Sequence, residues 1–442
     1  MKHTLTHAAQ LDEKDLFKPL AHLFEIPVGQ HGEKTIYLNG NSLGPKPKCV
    51  EESLMTECDA WGTLGARGHF YKENPWVSFN ERVTQSLARL VGAKENEVVA
   101  TGTLTTNLHF TFVSFYRPTP KRFKIIRLAG FPSDTYAIHS QVQQRLETIT
   151  EFTGAEPFTM DDAIVEIKPD DNGYISLEKI KKTIDEHGES TAVIWIEAMH
   201  YLTGQFFNIP EIVRLAHEKG CKIGLDLAHA IGNVPLSLHE WDVDFAVWCH
   251  YKYVSAGPGA IGGLYIHEKF ATDPAMLRFA GWWGNNKSTR FQMLNTFDPI
   301  PTAEGWQTSN SVIFSLAALH HSLSIFDQID LYALREKNKR LSAYLETLIR
   351  DECSDIQIIT PIHPDERGCQ MSLRIKDADP TLDIKNIFFK HNVLCDVRGD
   401  KIRIAPVGLY TTFVDVFNFV EKLKVVYGEV CGSQNRAGSV AG

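Results

Sequence analysis

The chain has 442 residues, 43% of them hydrophobic and 22% charged, with a formal net charge of −9. That mixture belongs to a folded globular protein and excludes a wholly disordered, collagen-like or coiled-coil chain. The acidic balance and the lack of any Lys/Arg block argue against a nucleic-acid partner, and the length corresponds to two or three domains of ~100–200 residues.

The first residues, MKHTLTHAAQLDEKDLF, lack the apolar stretch of a secretory signal. Nowhere do ~18 apolar residues run together, so no membrane span is expected. Residues 1–60 read as an N-terminal segment packing with a small domain, its helix-like stretch 49–61 set off by Pro45 and Pro47. Residues 61–310 read as a large domain. In it, short β-rich runs, EVVAT (97–101), KIIRL (124–128), AIVEI (163–167), TAVIWIEA (191–198), CKIGLDL (221–227), DFAVWC (244–249) and GGLYI (262–266), alternate with helical segments. Several runs are continuously apolar, as strands buried on both faces are. A helix between two of them opens at Asn208 with Pro210 in its first turn and closes at Gly220. The pattern predicts an α/β fold with a mostly parallel central sheet.

From 311 to 430 the texture is that of a smaller α+β domain: a long helical stretch (311–351), strand-like CQMSLRI (369–375) and KIRIAPV (401–407), a helix between them and another at the end. The tail 431–442, CGSQNRAGSVAG, is small and polar and is expected to be disordered. The eight cysteines, Cys49, Cys58, Cys221, Cys249, Cys353, Cys369, Cys395 and Cys431, form no C-x-x-C pair. This points away from a metal site or disulfide framework and toward the reduced thiols of a cytoplasmic protein.

Two familiar motifs carry little. GPGAIG (257–262) matches the dinucleotide-binding G-x-G-x-x-G, but that motif needs a helix at its glycines, and a strand-like run follows here. GNSLG (40–44) matches the nucleophile elbow of hydrolases, but Pro45 and Pro47 follow where a helix is required, so Ser42 reads as a turn residue.

Residues 226–252 carry more. Asp226 ends the strand KIGLD, His229 follows three residues on, and the next strand ends in His250-Tyr251-Lys252-Tyr253. A carboxylate and a lysine thus emerge at two strand ends, where open α/β sheets bind ligands. Pyridoxal 5′-phosphate (PLP) chemistry wants this pair, a lysine for the Schiff base and an acid for the pyridinium nitrogen. A structural Asp226–Lys252 ion pair is the alternative. Thr103-Leu104-Thr105-Thr106-Asn107, at a predicted helix start, offers free amides and hydroxyls to a phosphate or simply caps the helix. Phe131-Pro132-Ser133-Asp134 offers a ring to stack, a hydroxyl for the phosphate and an acid, or else an N-cap beside a core phenylalanine. Taken together, the three clusters point to one cofactor. Gly281-Trp282-Trp283-Gly284, Ser309-Asn310, Arg403 and His69 are further candidates, each with an ordinary structural reading beside the functional one; Arg403 suits a bidentate grip on a carboxylate.

YLNGNSLGP (37–45), TLTTNLH (103–109), FYRPTPKRFKI (115–125), FPSDTYAI (131–138), TGQFFNIP (203–210), DLAHAIGN (226–233), VDFAVWCHYKYVSAGPG (243–259), GWWG (281–284) and STRF (288–291) resemble the kynureninases. These are fold type I, aspartate-aminotransferase-like PLP enzymes, and the likeness runs in order from about residue 37 to 425. It implies hydrolysis of L-kynurenine or 3-hydroxykynurenine to anthranilate or its 3-hydroxy form plus L-alanine, in tryptophan catabolism and in some organisms toward NAD.

By matching position, the resemblance makes Lys252 the Schiff-base lysine, Asp226 the pyridinium partner, and Tyr251 a catalytic acid/base that also reaches the phosphate. Leu104, Thr105 and Ser133 take the phosphate side, Phe131 and Pro132 the ring face, and Asp134 and His229 the surroundings of the ring. Trp282 and Asn310 match positions that reach the cofactor from the other subunit of a homodimer. Arg403, His69 and Asn285 fall on the substrate side. Two departures stand out. Glu197 occupies a place where the family usually has a small hydroxyl residue, and Asn285 replaces a histidine of animal members, leaving the preference between the two substrates open. Rival readings are another fold type I enzyme (class V aminotransferase or cysteine desulfurase), a scaffold of the same fold without chemistry, and the serine hydrolase suggested by GNSLG.

Overall fold

The computed structural model describes residues 3–29, 32–153, 159–171, 173–376, 378 and 382–438. Among them, seven strands build the central sheet: β1 Val98–Ala100, β2 Lys124–Leu128, β3 Ile164–Ile167, β4 Thr191–Glu197, β5 Lys222–Asp226, β6 Phe245–Cys249 and β7 Gly262–Ile266. Their spatial order is β1-β7-β6-β5-β4-β2-β3. Strands β2 to β6 pair in parallel, while β7 runs antiparallel to both β1 and β6. The continuous apolar runs mark strands covered on both faces: every residue of β4, β6 and β7 is buried. Helix Ile209–Glu218 begins as its sequence predicts, with Asn208 accepting the Glu211 N–H and Pro210 in the first turn. Parallel strands with crossover helices direct their C-terminal ends to one edge, and the loops gather there.

The smaller unit is an antiparallel sheet of β8 Ile356–Ile358, β9 Met371–Ile375, β10 Asp396–Arg398 and β11 Lys401–Ile404, in the order β8-β9-β11-β10. Helices Leu331–Glu352 and Phe413–Gly438 pack on it through Leu341, Leu345, Leu373, Ile404 and Phe419. The stretch 311–351 is two helices rather than one, Ile313–Asp327 and Leu331–Glu352. Asp330 restarts the second by accepting the Tyr332 N–H at 2.8 Å. The last helix runs on through Gly438, past Cys431 where the sequence suggested a disordered tail. No proline interrupts 413–438; residues 439–442 of the expected tail lie outside the described residues.

The N-terminal segment is woven into this smaller unit. Ala8 joins its core, and both oxygens of Asp12 accept the first amides of the last helix, Phe413 N–H at 2.7 Å and Val414 N–H at 3.1 Å. Ile36–Tyr37 pairs in parallel with Val393–Leu394, and Asn39 with Ala405. Helix Cys49–Leu64 then crosses to Ile313–Asp327, where Ser53 donates to the Ala317 carbonyl.

Candidate active site

Five strand ends contribute to one cluster at the C-terminal edge of the sheet. Asp226 closes β5, buried, and its Oδ1 accepts the Ala228 N–H at 2.7 Å. Lys252 follows β6, and its Nζ lies 3.0 Å from Nε2 of buried His229. Asp134, in the first turn of helix Pro132–Thr153 after β2, takes the indole N–H of Trp195 on Oδ2 at 2.9 Å. Glu197 closes β4 opposite Asp226 in the sheet register. After β1, helix Leu104–Phe115 opens under its N-cap Thr103. Here Thr105 Oγ1 and Ser133 Oγ meet at 2.9 Å, so two helix N-termini converge on a pair of hydroxyls.

The electrostatics follow from burial. Asp134 is held well above the carboxylate range by desolvation, then by the negative charges of Asp226 and Glu197. Desolvation also raises Asp226, against the pull of Lys252. Glu197 is pushed up to about 7 by burial and by Asp226. His229 is driven well below its ordinary value by burial and by the Lys252 charge, so its ring is neutral. Burial likewise raises Tyr251, which hydrogen-bonds Cys249 and stays protonated at neutral pH. Three buried acids facing one amine leave room for another positive charge.

The loop carrying Lys252 is clamped from outside by the GNSLG turn. Gly44 N–H donates to the Tyr251 carbonyl at 2.8 Å. A Cβ on Gly44 would stand 2.4 Å from the Lys252 carbonyl oxygen and 2.1 Å from Ser255 Oγ. The segment read from sequence only as a turn is thus a wall of the site, a role that spacing did not reveal. Arg403 on β11 reaches the same edge, donating Nη1–H to the Tyr201 carbonyl at 2.7 Å and pairing with Asp396. Phe131 is 42% exposed and meets the Tyr201 ring edge to face at 5.4 Å. Trp195 and Tyr201 were not singled out from sequence. The usable signal was parity, since Trp195 and Glu197 share one face of β4.

Leu104, Thr105, Phe131, Pro132, Ser133, Asp134, Asp226, His229, Tyr251, Lys252 and Arg403 therefore belong to one region. His69, Trp282, Asn285 and Asn310 do not join it by any hydrogen bond or ring contact among the described residues. His69 and Trp282 belong to an aromatic patch away from that region, with Asn285 buried beside Trp282. His69 packs edge-on against Trp76 and beside Phe70; Phe70 touches Phe291, and Phe291 touches Trp282. Trp282, Phe291, Phe70 and Asn310 are exposed. Asn285 lines a shallow pocket beside Trp282, its Oδ1 accepting the Asp298 N–H at 2.7 Å.

The donors at the sheet edge fit PLP. Buried atoms without a hydrogen-bond partner (Asp134 Oδ1, His229 Nδ1 and Arg403 Nε) belong to residues of a region that also holds an amine and an anion cradle. Glu97, His239 and His267 come together elsewhere, but Glu97 Oε1 accepts from the Glu268 N–H and His267 Nδ1 from the Lys269 N–H, so the group caps a short helix. GPGAIG turns into strand β7 through left-handed Gly257 and Gly259, with no helix at the glycines. No helix among the described residues is long and apolar enough to cross a membrane.

Residues 36–401 match the aminotransferase class-V family. The chain is 45% identical to a kynureninase of Myxococcus xanthus over 94% of its own length and 96% of that protein's. It is 42% identical to a kynureninase of Flavobacterium psychrophilum, over 96% and 98% of the two chains. Among solved structures it superposes on an Escherichia coli cysteine desulfurase with a TM-score of 0.74, 15% identity and coverage of 94% and 99%. It also superposes on a C-DES mutant described as having glycine covalently linked to the PLP cofactor (TM-score 0.68, 14% identity, coverage 88% and 96%). At such identities these two structures speak for the fold alone.

Proposed function

The chain belongs to the kynureninases of the class-V aminotransferase family, and from that premise we propose how its residues divide the hydrolysis of an L-kynurenine substrate to anthranilate and L-alanine. The observation that carries the assignment is the Lys252 amine, 3.0 Å from His229, among buried Asp226, Asp134 and Glu197 and beside two converging helix N-termini. PLP, when bound, supplies an aldehyde that captures amines and a cationic ring that takes up electrons.

Leu104, Thr105 and Ser133, with Tyr251, would hold its phosphate; Asp226 would hold its ring nitrogen, with Asp134 and His229 nearby; Phe131 and Pro132 would line its ring. Arg403 orients the substrate α-carboxylate. Lys252 moves the proton at the substrate α-carbon. Tyr251, protonated and half-buried, moves a proton at the γ-carbonyl oxygen as water adds and the Cβ–Cγ bond breaks.

The reading includes a homodimer. Its support is the exposed surface of His69, Phe70, Trp282, Phe291 and Asn310, which a second copy would cover while lending Trp282 and Asn310 to its neighbour's cofactor and His69 to the substrate. A cytoplasmic setting agrees with eight free thiols. Of these only Cys58 is exposed, and it stands mid-helix, which does not suit the mobile nucleophile of a desulfurase. The aromatic end of the substrate falls to Asn285, whose Oδ1 accepts the Asp298 N–H. Asn285→His is expected to shift the ratio of kcat/KM values toward the 3-hydroxy substrate. Adding L-kynurenine to the PLP-loaded protein and following anthranilate fluorescence tests the activity; no fluorescence from loaded protein defeats it.

A further inference from the structure

Glu197 has no part in the reaction set out above, yet both of its oxygens are engaged. Oε1 accepts the N–H of Phe131, and Oε2 accepts the N–H of Tyr201 at 2.8 Å. Oε1 approaches the first loop so closely that a Cβ on Gly130 would stand 2.2 Å from it, so this contact requires glycine at 130. The two amides belong to different arms of the site. Phe131 leads directly into the helix that carries Ser133 and Asp134. Tyr201 passes its carbonyl to Arg403 Nη1 at 2.7 Å and to Gln370 Nε2 at 3.0 Å, both from the smaller unit. A single side chain on β4 thus joins a loop of the large sheet to the arm that reaches Arg403.

We propose that Glu197 is a positioning residue that locks the Phe131 loop to the Tyr201–Arg403 arm, holding the ring-covering and carboxylate-gripping halves of the site in register. The proposal rests on the roles given above to Phe131 and Arg403. A small hydroxyl side chain at this place cannot span both amides, whereas an ionised carboxylate accepts them both. The groups facing Glu197 are Asp226 at the end of β5, Asp134 on the helix after β2, Lys252 after β6, Tyr201 on its own loop and Arg403 on β11. Burial and Asp226 bring its titration up to about 7. The lock is therefore complete above neutrality and loosens below it, where the protonated acid turns an O–H toward one of its two N–H donors.

The test compares wild type with Glu197→Gln and Glu197→Ser, neither of which adds bulk and both of which remove a buried charge. PLP is titrated into apo protein by visible absorbance across neutral pH, L-alanine is titrated into the loaded protein as a bare α-amino acid, and kcat and KM are measured with L-kynurenine. In both variants PLP affinity is expected to fall about tenfold at alkaline pH, equivalent to about 1.4 kcal/mol. The L-alanine dissociation constant and KM should rise together by a similar factor, with kcat changing less. The inflection of PLP affinity near pH 7 should be present in wild type and absent from both variants. Wild-type PLP affinity, L-alanine affinity and pH profile in the two variants would overturn the proposal, as would a fall in kcat alone. If wild type itself fails to cleave L-kynurenine the functional reading falls, but the PLP and L-alanine titrations still decide the role of Glu197.

Discussion

At the scale of single residues the site is a set of charges displaced by burial. Asp134, Asp226 and Glu197 are all held above their ordinary values, so the apo fold keeps protons that the unfolded chain has released. Their contribution to stability is full below the ordinary carboxylate range and falls as pH rises through about 7, where Glu197 titrates. His200 and His250, pushed down to about 4 by burial, act in the opposite window: their contribution is present above 6.5 and lost as pH falls through about 4. Asp226→Asn removes a charge that lifts both other acids. The apo variant should melt above wild type at alkaline pH, the gap closing toward acid pH, as differential scanning fluorimetry would show. Tyr251→Phe should lower kcat by about 10²–10⁴ while PLP absorbance stays that of wild type; unchanged turnover would remove Tyr251 from the proton path. Asp226, Lys252 and the Thr105 and Ser133 clusters were legible because each sits where an apolar strand stops. Trp195 was not, since nothing in TAVIWIEA distinguishes the indole that binds Asp134 from its core neighbours. His69, Trp282 and Asn310 were weak candidates with ordinary structural readings beside them, and Asn285 entered only through the resemblance, because none of the four stands where an apolar strand stops.

At the scale of elements, caps and strand direction decide the outcome. Asp12 closes the first turn of the last helix from 401 residues away, and burial raises its own titration. Asp12→Ala should cost about 1–2 kcal/mol in urea unfolding, the usual worth of an N-cap, with Asp12→Asn recovering only part of it, since one oxygen then stands for the two that accept the 413 and 414 amides. A larger loss would mean that the N-terminal helix detaches as well. In the central sheet strand positions were legible to within a residue, from KIIRL and GGLYI without error to AIVEI, where the strand begins one residue later; in the smaller sheet KIRIAPV overran β11 by three residues, and β8 and β10 were not read from the sequence. The antiparallel course of β7 was also in the sequence, though the apolar runs do not express it: only residues 250–261 separate it from β6, with no crossover helix. The break at 328–330 was hidden because Gln328, Ile329 and Asp330 include neither glycine nor proline.

At the scale of the whole molecule, the proposed sharing of a site between two copies makes a quantitative demand. Lys252→Ala and Asn310→Ala homodimers should each be inactive or nearly so. Mixed and reassociated in equal amounts, they should regain about a quarter of wild-type activity, since half of the dimers then hold one intact site of two. No recovery, or a monomeric mass in solution, would place all the chemistry within one chain. The two ends of the chain bear on how such a site comes into being. Gly44 presses on the lysine loop, but the strand that leads to it, Ile36–Tyr37, needs Val393–Leu394 beside it, Asn39 needs Ala405, and Asp12 needs the amides of 413 and 414. Segment 12–44 is consequently made hundreds of residues before the partners it settles against. A nascent polypeptide therefore presents its reactive amine without this cover until synthesis has passed residue 414.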